Sequence, residues 1–284
     1  MKGLIFSIEE FAVFDGAGIR VNVFFKGCPL RCRWCHNPEG FEHNITVMRN
    51  HNVCVGCGEC DRVCENRDTG CILCGKCMVN CPRGALRKSG RWYDSDELAK
   101  KLLGYKGVVE ASGGGLTFSG GEVLMQADFL VDLLKKTAPM HRIIETSGYG
   151  KSEDFSRTLE NVDFVYFDLK IMDSEKHRFY TGVSNELIHK NARLLMESGV
   201  PFKIRIPFIS GVNTDEKNIR AVCEFVKDQN GLQGIELLPY NEMAGAKYRL
   251  VGMTYEENFK KPSDFEISAA VEIIKEYGID CYVQ

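Results

Sequence analysis

Between residues 47 and 87 the chain reads "VMRNHNVCVGCGECDRVCENRDTGCILCGKCMVNCPRGAL", where cysteine dominates and the apolar periodicity of a helix or strand is missing. A stretch of that composition cannot bury a hydrophobic core of its own, so it is expected to fold around metal as a small inserted domain. Thirteen cysteines in 284 residues are a large excess, and eleven of them lie between Cys28 and Cys81 in tight spacings. The start, "MKGLIFSIEEFAVFDG", has only a short apolar run before Glu9 and Glu10, too short for a signal h-region or a membrane span. A cytoplasmic protein follows as the expectation, and in a reducing compartment such thiols point to metal or thiol chemistry rather than to disulfides. A net charge of −3 and a pI near 6.1 leave no basic footprint, so neither nucleic acid nor a membrane is expected as a partner.

Outside the insert, in residues 1–46 and 88–284, apolar strand-like runs alternate with helical patterns. "RVNVFFKG", "GGLTFSGG", "HRIIETSG", "VDFVYFDLK", "PFKIRIPFI", "QGIELLPY" and "IDCYV" are rich in Val, Ile, Phe and Tyr and read as strands. Helices are signalled by Ser184 ahead of "NELIHKNARLLMES" with Gly199 and Pro201 beyond it, by Thr214 or Asp215 ahead of "EKNIRAVCEFVKD", and by "SDFEISAAVEIIKEYG" ending at Gly278. This repeat argues an α/β fold, a parallel sheet covered by helices. About six or seven strands are recognisable against the eight of a closed barrel, so a partial, (β/α)6-type TIM barrel carrying a small ferredoxin-like insert is expected. In such folds functional residues gather at the carboxyl ends of strands, where "KGC", "SGGE", "ETSG", "DLK", "RIP" and "LPYN" fall.

The insert cysteines form two similar sets, Cys54, Cys57, Cys60, Cys64 and Cys71, Cys74, Cys77, Cys81, each spaced C-x2-C-x2-C-x3-C, with Pro82 closing the second. That is the run of bacterial two-cluster ferredoxins, where the fourth cysteine of each run serves the other cluster. One 4Fe-4S cluster is therefore assigned to Cys54, Cys57, Cys60 and Cys81, and another to Cys71, Cys74, Cys77 and Cys64. A pair of structural zinc sites is the alternative, although zinc sites separate their C-x2-C pairs by longer spacers. Ahead of the insert, "KGCPLRCRWCHNPEG" supplies Cys28, Cys32 and Cys35 and no fourth thiol. A cube held by three cysteines keeps one iron open for a non-protein ligand, which is the mark of chemistry at the metal. A zinc site completed by His36 or a distant residue is the other reading.

"CPLRCRWC" resembles the signature of the radical S-adenosylmethionine superfamily, and "SGGE", Ser119 to Glu122, resembles that family's glycine-rich segment with Val123 where proline is commoner. "DGAGIR", Asp15 to Arg20, and "CHNPEG" are similar to elements of one subfamily, the activating enzymes of glycyl radical enzymes, with Ala17 in place of a proline. The resemblance extends over nearly the whole chain, and the two-cluster insert is the pattern of the longer members. It implies that Cys28, Cys32 and Cys35 hold a catalytic 4Fe-4S cluster whose open iron binds S-adenosylmethionine. It further implies cofactor contacts from Trp34, His36, Gly120, Gly121, Glu122, Asp168, Lys170, Arg205 and Asn241, the last standing where histidine is common. Glu145 and Thr146 match an acidic residue and a threonine that help hold a monovalent cation in some members.

The residues fit this implication independently. In "VDFVYFDLKIM" the period of two places Phe164, Tyr166, Asp168 and Lys170 on one strand face, so a carboxylate and an ammonium share the interior. Lys203, Arg205 and Pro207 share another, and a planar guanidinium suits a cofactor carboxylate. Cys223 falls on a helical face with Ile219, Val222 and Val226 and reads as core, as does Cys281; His177 and His189 read as surface.

The activity expected from the resemblance is reductive cleavage of S-adenosylmethionine, the 5′-deoxyadenosyl radical then taking hydrogen from a backbone glycine of a partner glycyl radical enzyme. A low-potential donor such as flavodoxin or ferredoxin would supply the electron, with the insert clusters as relay or as structural units. Two rivals stay open: a radical enzyme acting on a small molecule or peptide, and a ferredoxin-type electron carrier.

Overall fold

Runs of β-branched and aromatic residues become strands wherever the sequence offers them, and in the computed structural model, which describes residues 1–66, 69–255 and 257–284, every strand candidate forms. The strands are β1 (Lys2–Ala12), β2 (Arg20–Phe25), β3 (Thr46–Arg49), β4 (Leu86–Ser89), β5 (Arg91–Asp94), β6 (Gly115–Gly120), β7 (Arg142–Thr146), β8 (Phe164–Asp168), β9 (Phe202–Phe208), β10 (Leu232–Pro239) and β11 (Cys281–Val283). The helices are α1 (Glu59–Arg62), α2 (Lys76–Val79), α3 (Ser95–Leu103), α4 (Lys106–Ala111), α5 (Ala127–Lys136), α6 (Ser152–Leu159), α7 (Ser174–Thr181), α8 (Glu186–Ser198), α9 (Glu216–Val226) and α10 (Asp264–Glu276).

One nine-stranded sheet carries the fold, in the order β11-β10-β9-β8-β7-β6-β2-β1-β5. Neighbours from β2 to β11 run parallel, each pair linked through helices, whereas β1 and β5 add an antiparallel edge. This is a mostly parallel α/β sheet, consistent with a partial TIM barrel. None of its helices among the described residues is long and apolar enough to cross a membrane.

Alternation along the strands separates two faces. Val21, Val23, Phe118, Ile144, Val165, Phe167, Ile204, Ile206, Ile235 and Leu237 are buried in one apolar core with α5, α6, α8, α9 and α10. The intervening residues, Thr117, Ser119, Glu145, Tyr166, Asp168, Arg205 and Glu236, are polar and point the other way. Register aligns them in rows: Asp168 stands opposite Arg205, and Arg205 opposite Glu236. Polar groups thus collect on the concave face because the chain repeats with a period of two, and they escape the desolvation penalty by pairing with one another.

Several local expectations change. Asn185, not Ser184, occupies the N-cap of α8, while Asp215 rather than Thr214 caps α9 by accepting from Asn218 N. The insert is not devoid of regular structure: β3 and β4 pair antiparallel, Thr46 opposite Ser89 and Arg49 opposite Leu86, tying its two ends together. His177 is not a surface residue; it is 1% exposed, with Nδ1 2.8 Å from the Val183 carbonyl and 3.0 Å from Thr181 Oγ1. His189 is half-buried against Phe225. Both occupy helix faces that pack inward, a placement that a lone histidine in a polar-looking window does not reveal. Cys223 is fully buried in the core, as expected, and Cys281 packs at its margin.

Candidate active site

The loop after β2 carries the three-cysteine motif, and backbone hydrogen bonds clamp it from two sides. Gly27 N and Cys28 N donate to Gly40 O and Phe41 O, while Arg31 N and Arg33 N donate to Thr181 O and Tyr180 O at the end of α7. These carbonyls at a helix C-terminus have no intrahelical partner, so the cysteine loop satisfies them. His177 braces this helix end through Thr181, a role that no motif in the sequence signalled.

The glycine-rich segment lies directly against this loop. Gly121 N donates to Phe25 O and Glu122 N to Gly27 O, both at 2.8 Å. A Cβ on Gly121 would sit 2.3 Å from Gly27 O, and Gly120 has a φ of +117° with its Cβ position 2.5 Å from the Phe25 backbone. Only glycine permits that approach.

Together these elements enclose a cavity of about 310 Å³ at the carboxyl ends of the strands. Cys28, Cys32, Cys35, Trp34, His36, Gly120, Gly121, Glu145, Thr146, Asp168, Lys170, Arg205 and Asn241 all line it. Glu122 does not: its carboxylate is buried and accepts from Thr146 Oγ1, Ser147 N, Ser147 Oγ and Leu124 N. It joins the loops after β6 and β7 rather than facing the cavity. Burial pushes its pKa up against the pull of those donors.

Charge in the cavity is arranged in pairs. Lys170 Nζ lies 2.5 Å from Asp168 Oδ2, and the ammonium stays charged because the Asp168 carboxylate outweighs its burial. Arg205 bonds Glu145 through Nη1 and Glu236 through Nε at 2.5 Å, and its guanidinium stacks 3.6 Å from the Tyr166 ring centroid. Among the described residues Nη2 has only the Phe14 carbonyl, at 3.5 Å. Burial raises Glu145 to about 7, opposed by Arg205. Glu236 was missed in the sequence; its signal is a lone charge inside the apolar run "GIELLP".

Burial also lifts the three thiols, Cys35 to about 12, so in the bare chain they hold their protons. A metal cluster supplies the positive charge that turns such thiols into ligands, and the donor set fits one. Glu145 and Thr146 fit a monovalent cation less well: both Glu145 oxygens are engaged, by Arg205 and by Ser119 Oγ at 2.5 Å, and the Thr146 hydroxyl donates to Glu122. Asn241 uses its Oδ1 to cap the following 3-10 helix at Met243 N. Trp34 is packed between Tyr180 and Phe259 while keeping a face on the cavity.

The remaining eight clustered cysteines divide between two smaller cavities in the insert. Cys54, Cys57, Cys60 and Cys81 line one of about 110 Å³, and Cys64, Cys71, Cys74 and Cys77 line one of about 30 Å³. In each, the fourth cysteine of one run crosses to the other set. Gly58 and Gly75, with φ of +73° and +84°, start α1 and α2 and let the chain wrap back over the thiols. The thiols ring these cavities instead of converging: among the described residues no three His, Cys, Asp or Glu groups sit as a single metal ion needs.

Comparison with known proteins gives the family. Residues 22–222 match the radical SAM superfamily. The chain is 38% identical to the choline trimethylamine-lyase activating enzyme of Oleidesulfovibrio alaskensis, over 97% of this chain and 96% of that protein. It is 37% identical to the trans-4-hydroxy-L-proline dehydratase activating enzyme of Clostridioides difficile, over 93% of each. A crystal structure of a domain of a pyruvate-formate lyase-activating enzyme from Bacteroides vulgatus superposes with a TM-score of 0.52 at 35% identity, covering 61% of this chain and 99% of that one. The chain belongs to the radical SAM superfamily and, within it, to the activating enzymes of glycyl radical enzymes.

Proposed function

We propose that this protein activates a partner glycyl radical enzyme in the cytoplasm by removing a hydrogen atom from a backbone glycine of that partner. The observation that carries the reading is a cavity in which, among the described residues, three thiols and no fourth meet an ammonium–carboxylate pair, an arginine and a half-buried glycine strip. Elsewhere the same chain assembles four thiols per cavity, so the three-thiol set is open by construction.

Cys28, Cys32 and Cys35 are the ligands for a 4Fe-4S cluster, which when bound supplies the electron that splits the sulfonium of S-adenosylmethionine. The chain's own work is binding and orientation. Backbone groups at Gly120 and Gly121 would pair with the methionine amino group, Arg205 would offer Nη2 to its carboxylate, and Trp34 would pack on the adenine. Asp168 and Lys170 hold a fixed charge pair beside the cluster site, and the aromatic wall of Trp34, Tyr180, Tyr240 and Phe259 keeps water away. In the insert, Cys54, Cys57, Cys60 and Cys81 form one ferredoxin-like cluster site and Cys64, Cys71, Cys74 and Cys77 a second, together a route for electrons from a low-potential donor such as flavodoxin or ferredoxin. The separation of the thiols into crossed sets of four supports this over zinc. No step is assigned to a cation at Glu145 and Thr146.

Anaerobic turnover with dithionite tests the reading. Wild-type protein should release methionine and 5′-deoxyadenosine from S-adenosylmethionine, and Cys32→Ala should release neither while keeping its insert iron. Cleavage that survives Cys32→Ala would place the chemistry elsewhere.

A further inference from the structure

The two insert cavities have matching thiol sets, and among the described residues only one brings a guanidinium onto a thiol. Arg49, the last residue of β3, points its guanidinium into the cavity of Cys54, Cys57, Cys60 and Cys81, with Nη2 3.3 Å from Cys60 Sγ. Its place is fixed by the pairing of Arg49 with Leu86 and by the bond from Asn50 N to Ala85 O at 2.7 Å. Among the described residues it makes no ion pair. Of the other charges lining that cavity, Glu59 is held by Arg62 at 2.6 Å, and Arg83 and Asp61, of opposite sign, are both exposed. Around the second cavity Lys76 is neutralised by Glu65 at 2.5 Å, and Lys88 is exposed on the Leu73 carbonyl. There the sulfur of Cys71 meets a backbone amide, from Leu73 at 3.4 Å, and no side-chain cation among the described residues.

We infer that Arg49 raises the reduction potential of the cluster of Cys54, Cys57, Cys60 and Cys81 without acting on its neighbour. The inference depends on the reading that the insert binds two 4Fe-4S clusters. One-electron reduction adds one negative charge to the cluster and its thiolates and releases nothing. A half-buried guanidinium bonded to a ligand sulfur stabilises that added charge, with little screening by salt. Asp61 acts on the same cluster with the opposite sign.

The test is EPR-monitored potentiometric titration of the full-length, reconstituted protein after iron and sulfide have been counted, comparing wild type with Arg49→Gln, Arg49→Lys and Asp61→Asn. Arg49→Gln should move one insert signal to lower potential and leave the other in place. Arg49→Lys should restore most of that shift, and Asp61→Asn should move the same signal upward. Insert potentials unchanged in Arg49→Gln, or both displaced equally, would overturn the inference. Should Arg49→Gln fail to retain iron, Asp61→Asn decides alone: an upward shift confined to one signal supports the role of local charge, and no shift refutes it. A wild-type protein whose insert binds no iron would instead refute the two-cluster reading, and this inference with it.

Discussion

At the scale of single residues, neighbours separate from partners. Motif spacing led to Cys28, Cys32 and Cys35 and family resemblance to Asp168, Lys170 and Arg205, and the period of two turned Asp168 and Arg205 inward because a strand leaves a side chain no other choice. What spacing could not show is who holds whom. Glu122 looks like part of a cofactor-binding strip, yet its oxygens are bound to Thr146, Ser147 and Leu124, contacts made across the sheet and invisible in one dimension. Glu122→Gln puts a donor where donors already point, so it should lower stability by about 1–3 kcal/mol. Loosening two cavity loops should also weaken S-adenosylmethionine binding about tenfold; thermal unfolding and anaerobic equilibrium binding read the two effects. His177 gives a pH prediction. Burial lowers its pKa from 6.5 to about 4, so the unfolded chain takes up a proton that the folded chain refuses. Its stabilising share is complete above pH 6.5 and is lost as pH falls toward 4. Thermal midpoints on either side of pH 6.5 should therefore converge in His177→Gln relative to wild type.

At the scale of elements, the sequence announced helices and parallel strands well because their signals are local and repeated, down to the "SDFE" that begins α10. Ser263 Oγ accepts from Glu266 N, and the Glu266 carboxylate accepts from Ser263 N, a full capping box. Ser263→Ala should cost about 1 kcal/mol, measured by denaturant unfolding, with cleavage of S-adenosylmethionine unaffected. The β3–β4 hairpin was not legible: its strands are four residues each and nearly forty apart, and only pairing makes them strands. The bracing of the three-cysteine loop by α7 was equally hidden, since it runs through backbone carbonyls that any residue supplies.

At the scale of the whole molecule, one polar concave face, one three-thiol cavity and two four-thiol cavities share a single chain, and the proposed function gives them separate parts, chemistry and electron supply. Eight thiols in closed sets beside three in an open one is an internal comparison, made within a single chain, and the open set alone faces the cavity that Arg205 and Lys170 line. Removing an insert thiol should therefore slow the delivery of electrons from a protein donor more than it slows cleavage driven directly by dithionite. Removing one of the three should stop both. The most direct measurement is the EPR spectrum of the glycyl radical enzyme encoded nearest to this protein, after anaerobic mixing with the reduced protein and S-adenosylmethionine. Wild type should raise a glycyl radical doublet on the partner, and Cys28→Ala, with its insert iron intact, should raise none; an undiminished doublet from Cys28→Ala would contradict the account.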